Sequence, residues 1–215
     1  MSLLLPVPTD ARPRRLVQLY AGLALYGLSS ALLVEARLGL DPWDVLHQGA
    51  SRRSGISIGI CTVIIGMIVL LLWIPLRQRP GLGTVSNAIL VGLAVDASLE
   101  LLSAPDHAAW QWGFLVSGVV LNGIATGMYI GAGLGPGPRD GLMTGIAARG
   151  RSLRAVRTLI ELTVLVVGWL LGGTVGVGTV LYALAIGPLA HIFIPAFTVG
   201  DAGPAVPPDA HSSIA

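Results

Sequence analysis

The chain has 215 residues, of which 53% are hydrophobic and only 11% are charged, and its mean hydropathy is +0.78. A soluble domain carries about 25% charged residues, so this composition leaves too little polar surface to cover a water-soluble globule. All the cationic side chains are arginines, and the formal net charge is +2. These arginines flank apolar runs and form no stripe with aromatic residues, which argues against a nucleic-acid partner.

Residues 1–15 form a proline-rich lead that contains Arg12, Arg14 and Arg15, and we predict a short flexible segment with a basic anchor. Six apolar runs follow, each near the roughly 20 residues that a helix needs to cross a bilayer core. They cover residues 16–34, 56–76, 82–102, 110–132, 153–172 and 177–199. Because the runs are continuous and not alternating, they predict helices and not strands. The polar residues 200–215 predict a disordered tail.

The distribution of arginines predicts the orientation of these six spans. With the N-terminus in the cytoplasm, the outer segments hold Arg37, Arg52 and Arg53, and the inner segments hold the remaining arginines of the total of 13. This asymmetry agrees with the positive-inside rule. The sequence therefore predicts a multi-pass protein of the bacterial plasma (inner) membrane, with the N-terminus and the C-terminus in the cytoplasm.

An internal repeat relates the two halves of the chain. Residues 27–49 and 123–145 share glycines, prolines and an aspartate at a constant offset of 96 residues. The shared positions include Gly39 and Gly135, Pro42 and Pro138, and Asp44 and Asp140. The match resumes at an offset of 95, where residues 81–85 (GLGTV) correspond to residues 176–180 (GVGTV). We interpret residues 16–103 and 110–199 as two copies of one membrane unit.

Each copy contains three predicted spans, and an odd number makes the second copy enter the membrane from the opposite side. The predicted fold is therefore all-α: a polytopic membrane helix bundle with six transmembrane helices, arranged as two inverted three-helix repeats. Many secondary transporters are built in this way, with the binding site at the interface between the repeats.

Two segments of the first copy carry a family resemblance. Residues 38–47 (LGLDPWDVLH) and residues 79–84 (RPGLGT) resemble the YczE/YyaS/YitT family of bacterial membrane proteins, and the resemblance covers about residues 15–200. The second copy departs from the pattern, because Gly137 and Arg139 stand where the first copy has Asp41 and Trp43. The resemblance implies a multi-span bacterial membrane protein, and it brings no particular activity and no binding residues.

The paired P-x-D motifs are the main candidates for function. Asp41 before Pro42 has the signature of a helix start, with Asp44 in the first turn. Each motif opens a helical stretch of about ten residues, too short to cross a membrane, and matching Gly/Pro-broken segments in two halves typically mark a transporter site. Asp44 and Asp140 are therefore either structural caps or also part of a central polar pathway.

Ionisable residues inside the predicted spans are the second group of candidates, because burying them in a membrane is costly. Asp96 and His191 are repeat mates near the ends of the third and sixth spans, and we include them in a candidate substrate or ion pathway. Asp96 lies near the predicted outer interface, where water can also solvate it. Glu161 follows Arg157 by four residues, which predicts an ordinary ion pair on one helix face.

No catalytic motif is present in the sequence, and the four histidines show no metal-ligand spacing. We therefore expect neither an enzyme nor a cofactor or metal. The lipid bilayer is the expected partner, with a small solute as possible cargo, and a homo-oligomer is compatible with the sequence. Two functions stay open: a small-solute transporter or permease, and a non-transporting membrane regulator or scaffold. A polar central cavity would favour the first, and a tightly packed dry interior would favour the second.

Overall fold

The computed structural model describes residues 5–200, which form eight α-helices and no strand. The predicted tail beyond residue 200 and the first four residues of the predicted lead lie outside this range. The helices are α1 (Arg12–Ala36), α2 (Pro42–Ser54), α3 (Ile58–Leu76), α4 (Leu82–Leu101), α5 (Ala108–Gly131), α6 (Pro138–Ala147), α7 (Leu153–Leu170) and α8 (Val177–Phe197).

Within residues 5–200, five helices are long and apolar enough to cross a membrane: α1, α3, α4, α5 and α8. The prediction of a polytopic helical membrane protein is thus confirmed. The predicted six spans exceed these five by one helix, α7, which is 18 residues long. This helix carries Arg154, Arg157 and Glu161, and three charges in 18 residues remove it from the set of clear spans.

The two short helices α2 and α6 begin at the P-x-D motifs. Pro42 and Pro138 are the first residues of their helices, where a missing N–H costs nothing. Asp41 caps α2, because its carboxylate accepts hydrogen bonds from the backbone N–H groups of Trp43 at 3.0 Å and Asp44 at 3.2 Å. Gly137 takes the same place before α6 without a side-chain cap. The predicted helix starts are confirmed.

Matching backbone contacts join the two halves of the chain. The N–H of Gly83 donates to the carbonyl of Leu134 at 2.8 Å, and the N–H of Gly178 donates to the carbonyl of Leu38, also at 2.8 Å. Gly39 and Gly135, which follow these carbonyls, have φ angles of +115° and +118°. Only glycine adopts such a conformation without strain, which explains why both positions of the repeat hold this residue.

Each short helix packs against a long helix of the other half: α2 lies against α7, and α6 lies against α3. The Trp73 ring of α3 covers Gly141 of α6, and the backbone at Val45 of α2 covers Gly168 of α7. Val45 and Gly141 hold equivalent places at the offset of 96 residues. A glycine lies at each of the two contacts, on the short helix α6 in one and on the long helix α7 in the other.

The centre of the bundle is formed by α1 and α5, which pack along each other, while α4 lies on α1 and α8 lies on α5. A stripe of glycines on α5 permits the second of these contacts. An added Cβ would lie 2.7 Å from Leu189 Cβ at Gly123 and 2.7 Å from Phe193 Cβ at Gly127. Small residues on this face thus permit the close approach of the two helices.

Among the arginines of the lead, Arg15 departs from the prediction of a basic anchor, because only 1% of its side chain is exposed. Its guanidinium donates to the Ala132 carbonyl at the end of α5 at 2.8 Å, and to the Asp10 carboxylate at 2.6 Å. This bond from Arg15 lowers the pKa of the Asp10 carboxyl below its ordinary value. Arg15 lies inside the protein because the last carbonyls of α5 need a donor that the helix cannot supply.

Candidate functional site

A charged cluster lies where the N-termini of α2 and α6 approach each other in the interior. The guanidinium of Arg139 lies over the ring of Trp43, with 5.1 Å between its central carbon and the ring centroid. Its two terminal nitrogens lie 3.8 Å from Oδ1 of Asp41 and 3.8 Å from Oδ1 of Asp44. The second half of the chain thus supplies a cation to two carboxylates of the first half.

Asp44 also pairs with His47 on the next turn of α2, with 3.0 Å between Oδ1 and Nδ1. Both side chains are almost completely buried. A proton on Nδ1 donates to the carboxylate in this geometry, which orients the imidazole. Asp44 is therefore more than a cap, because it contacts a histidine of its own helix and an arginine of the other half.

Asp140, the second P-x-D aspartate, has a different partner. The hydroxyl of Tyr129 on α5 donates to its Oδ2 at 2.7 Å. The backbone before and at the start of α6 is fixed by donors from the first half: Trp73 Nε1–H bonds to the Pro138 carbonyl at 3.0 Å, and the Thr84 hydroxyl bonds to the Pro136 carbonyl at 2.7 Å. These bonds hold the neighbouring Arg139 at the centre of the bundle.

Several polar atoms of the cluster are buried without a hydrogen-bond partner among residues 5–200. They are Oδ2 of Asp41, Oδ2 of Asp44 and Nε1 of Trp43. No hydrogen bond from the Arg139 guanidinium is found in this part of the chain either, since its carboxylate contacts are longer than hydrogen bonds. Unsatisfied buried polar groups are costly and uncommon, and here three of them gather at one point.

Two cavities flank the cluster on opposite sides, and both are lined by Tyr26, Trp43, Tyr129, Arg139 and Asp140. The first extends between α3 and α4. The second, of about 150 Å³, extends between α5, α7 and α8. The charged cluster therefore lies between two cavities whose linings combine polar and apolar groups.

The two sides of the partition differ in how their outer helices pack. On the first side α3 packs along α4, and Gly92 of α4 lies directly on the Gly59 carbonyl of α3. Gly187 holds the equivalent position on α8, and no atom of another element lies within 4 Å of the place where its Cβ would be. Gly187 lines the second cavity, so open space lies beside α8 at this cavity, whereas α4 is in contact with α3 at the equivalent place.

The predicted site residues fall into two groups. Asp140 lines both cavities, Pro42 lines the second and Pro138 the first, and Asp44 lies directly behind them in contact with Arg139. Gly39 and Gly135 shape the turns before the short helices. These residues are brought together.

Asp96 and His191 line neither cavity. Asp96 accepts hydrogen bonds from the Ser57 hydroxyl and, at 2.7 Å, from the Gly59 N–H, and so it caps the N-terminus of α3. His191 is exposed on α8. The predicted pair of Arg157 and Glu161 is confirmed, with a hydrogen bond of 2.8 Å.

Sequence reasoning missed Arg139, Trp43, Tyr26 and Tyr129 as members of the site. The sequence contained a signal for Arg139, because an arginine between Pro138 and Asp140 at a helix start in an apolar region is costly unless it is paired. Its position opposite Trp43 in the repeat was a second signal. The two tyrosines lie within long apolar runs and resemble ordinary packing residues.

The helices, the apolar spans and the buried polar centre together define a multi-pass helical membrane protein. Its sequence matches the family described as "Family of unknown function (DUF6198)" over residues 13–195, and the chain belongs to this family. No solved structure matches the chain.

Three bacterial relatives are similar along most of their length. A protein of Haemophilus influenzae printed as "Uncharacterized protein" is 39% identical over 80% of this chain and 79% of its own. The "Uncharacterized membrane protein YczE" of Bacillus subtilis is 35% identical over 82% of this chain and 83% of its own. The "Uncharacterized protein YyaS" of the same organism is 29% identical over 81% and 89%. The family resemblance inferred from the motifs is confirmed.

Proposed function

We propose that this protein is a small-solute transporter of the bacterial plasma membrane, with its binding site at the Arg139–Asp41–Asp44 cluster and Asp140. The observation that carries the proposal is the placement of this buried charged cluster between two cavities, both lined by Arg139 and Asp140. Charges inside a membrane protein are costly and typically mark a substrate or ion pathway. Short broken helices that start at such a centre are a common arrangement in secondary transporters.

The proposed architecture has six spans in two inverted repeats, with α7 as the sixth span. Its charges are compatible with this role, because Arg157 and Glu161 neutralise each other and Arg154 stands near the helix end, where a long side chain reaches the interface. The paired bonds of Gly83 to Leu134 and of Gly178 to Leu38 are those that a two-fold relation between the halves requires.

The proposed orientation places both chain ends in the cytoplasm, on the basis of the arginine distribution. Arg157 and Glu161 lie in the first half of α7 and line the second cavity. In this orientation that part of α7 is the cytoplasmic part, so the second cavity faces the cytoplasm.

The proposed mechanism is a rocking of one repeat against the other around the central cluster. The different surroundings of Gly92 and Gly187 support it, since an inverted repeat in one conformation has one side closed and the other open. In the opposite conformation α7 would close on α8, and α3 would leave α4.

The alternative is a non-transporting membrane regulator or scaffold. A dry and tightly packed interior would favour it. The polar lining of both cavities, which includes Arg139, Asp140 and two tyrosines, instead favours a protein that binds a polar solute in its interior.

Uptake into proteoliposomes tests the proposal. The wild type and two charge-neutral variants, Asp44→Asn and Asp140→Asn, would be compared with four radiolabelled probes: methylguanidinium, succinate, glycine and glucose. We expect uptake of at least one probe by the wild type and a loss of about tenfold or more in both variants. Removal of a charged hydrogen-bonding partner from a buried site costs at least that factor.

The matched control is Asp106→Asn, because Asp106 lies exposed between α4 and α5 and its loss should leave uptake unchanged. Correct folding of each variant is checked by its elution as a single species in detergent. Uptake by folded wild type that never exceeds that of protein-free liposomes would contradict transport. Full uptake by both aspartate variants would contradict the site.

A further inference from the structure

We infer that the central site binds a small organic cation with an amine or guanidinium head, and that Arg139 occupies this cation site when no substrate is present. This inference rests on the proposed function and names the substrate class of the same site. It is carried by the position of Arg139, by the charge of its surroundings and by the polar atoms left without partners.

The charges at the centre of the bundle do not balance. Asp41, Asp44 and Asp140 contribute three carboxyl groups. Among residues 5–200, Arg139 is the one arginine in contact with the first two, and His47 is the other basic group, bonded to Asp44 at 3.0 Å. Arg157, which lines the second cavity, is already paired with Glu161 at 2.8 Å. An excess of negative charge in a low-dielectric interior favours a bound cation over a bound anion.

Arg139 shows where such a cation would lie. A guanidinium above the face of a tryptophan ring, at 5.1 Å from the centroid, is the geometry by which aromatic residues bind cations. The same guanidinium faces one oxygen of each of two buried carboxylates. The site thus has the three components of an organic-cation site: an aromatic face and two carboxylates.

Arg139 fits this place imperfectly, which makes it displaceable. Its contacts to Asp41 and Asp44 are 3.8 Å long, beyond the range of a hydrogen bond, and its side chain is 21% exposed towards the cavities. The second oxygens of Asp41 and Asp44 have no hydrogen-bond partner in the part of the chain that the structure describes. A free cation is not constrained by the backbone of α6 and can approach these oxygens to hydrogen-bond distance.

An anionic substrate would require the opposite arrangement. It would use Arg139 as its ligand, and it would lie beside two carboxylates that are 2% and 4% exposed. Juxtaposition of like charges in such a place costs several kcal/mol. The two classes of substrate therefore give opposite expectations for the removal of Arg139.

The test measures binding to the purified protein in nanodiscs, separately from transport. The probes are methylguanidinium chloride, sodium succinate and glycine, and the readout is radioligand binding at equilibrium. We expect the wild type to bind methylguanidinium only. Arg139→Gln should bind it about tenfold more tightly, since a tethered competitor has been removed, and Arg139→Lys should resemble the wild type. Asp44→Asn should bind it about tenfold or more weakly.

Binding of succinate that is lost in Arg139→Gln would overturn the inference, and so would binding of glycine alone or an unchanged methylguanidinium affinity in Arg139→Gln. Absence of methylguanidinium binding by folded wild type would also overturn it. Should Arg139→Gln not fold, Trp43→Leu gives the second measurement. Loss of the aromatic face should weaken methylguanidinium binding, and an unchanged affinity would overturn the inference. Binding of methylguanidinium without uptake of any probe would contradict the transporter proposal and leave the inferred substrate class standing. Uptake of succinate alone would contradict the substrate class and leave the transporter proposal standing.

Discussion

Arg139 and Trp43 hold equivalent positions in the two halves of the chain, and they are in contact at the centre of the bundle. The guanidinium carbon of Arg139 lies 5.1 Å from the centroid of the Trp43 ring. A repeat that had kept the same residue in both copies would place two arginines or two tryptophans there. The divergence at this single position therefore creates the cation–aromatic pair. Trp43 and Trp73 are both buried, so the effects of replacing them can be compared directly.

The two buried tryptophans should respond differently to replacement by phenylalanine. Trp73→Phe removes the donor to the Pro138 carbonyl, which accepts from Nε1 at 3.0 Å, and so breaks a buried hydrogen bond between the two halves of the chain. We expect a loss of about 0.5–1.5 kcal/mol in the free energy of unfolding. Trp43→Phe removes an Nε1 that has no hydrogen-bond partner among residues 5–200, and so its cost should be smaller. Thermal unfolding in detergent micelles measures both, and equal losses would contradict the assignment of the bond.

Gly127 and Gly113 on α5 form a second matched pair. An added Cβ at Gly127 would lie 2.7 Å from the Phe193 backbone of α8, whereas no atom of another element lies within 4 Å of one at Gly113. Gly127→Ala should therefore destabilise the protein by about 1–3 kcal/mol through overpacking. Gly113→Ala should be neutral or slightly stabilising, because alanine favours the helix. The unfolding midpoints of the two variants decide the prediction, which fails if Gly127→Ala is as stable as the wild type.

Arg15 and Arg14 are adjacent, and only the first is buried. Arg15→Gln should lower the unfolding midpoint markedly, because it removes the donors to the Ala132 carbonyl and to Asp10 and leaves a helix end unsatisfied. A loss of about 1–3 kcal/mol is expected. Arg14→Gln, at an exposed position, should change stability by less than about 0.5 kcal/mol. If both variants unfold at the same temperature, Arg15 is an exposed anchor after all.

Gly92 and Gly187 test the difference between the two sides of the bundle. Gly92→Ala places a methyl group against the Gly59 carbonyl and should lower the unfolding midpoint. Gly187→Ala enters open space and should leave it unchanged. A larger side chain, Gly187→Trp, should keep the midpoint and stop uptake into proteoliposomes, because it fills the opening that α7 must close. Normal uptake by a folded Gly187→Trp variant would contradict rocking at this place.

Much of the fold was predictable from the sequence, for local reasons. Continuous apolar runs must form helices in a bilayer because lipid offers no hydrogen bonds to the backbone, and Pro42 and Pro138 fix the first turn of each short helix wherever the chain lies. The same reasoning counted α7 as a span, and this part stays a prediction because its apolar residues surround three charges. Asp96 was predicted as a pathway residue from its chemical type, and it proves to cap a helix that lies elsewhere in the sequence.

The sequence by itself determined that this protein is a helical membrane protein, that two P-x-D motifs break it at matching places, and that glycines line the turns and one face of α5. These properties depend on composition and on neighbours along the chain. Only the tertiary structure decided that Arg139 lies close to Asp41, Asp44 and Trp43, and that α3 and α4 are in contact at Gly92 while open space lies beside Gly187 of α8. Such contacts join residues far apart in sequence, and they depend on how whole helices pack, which no local pattern records.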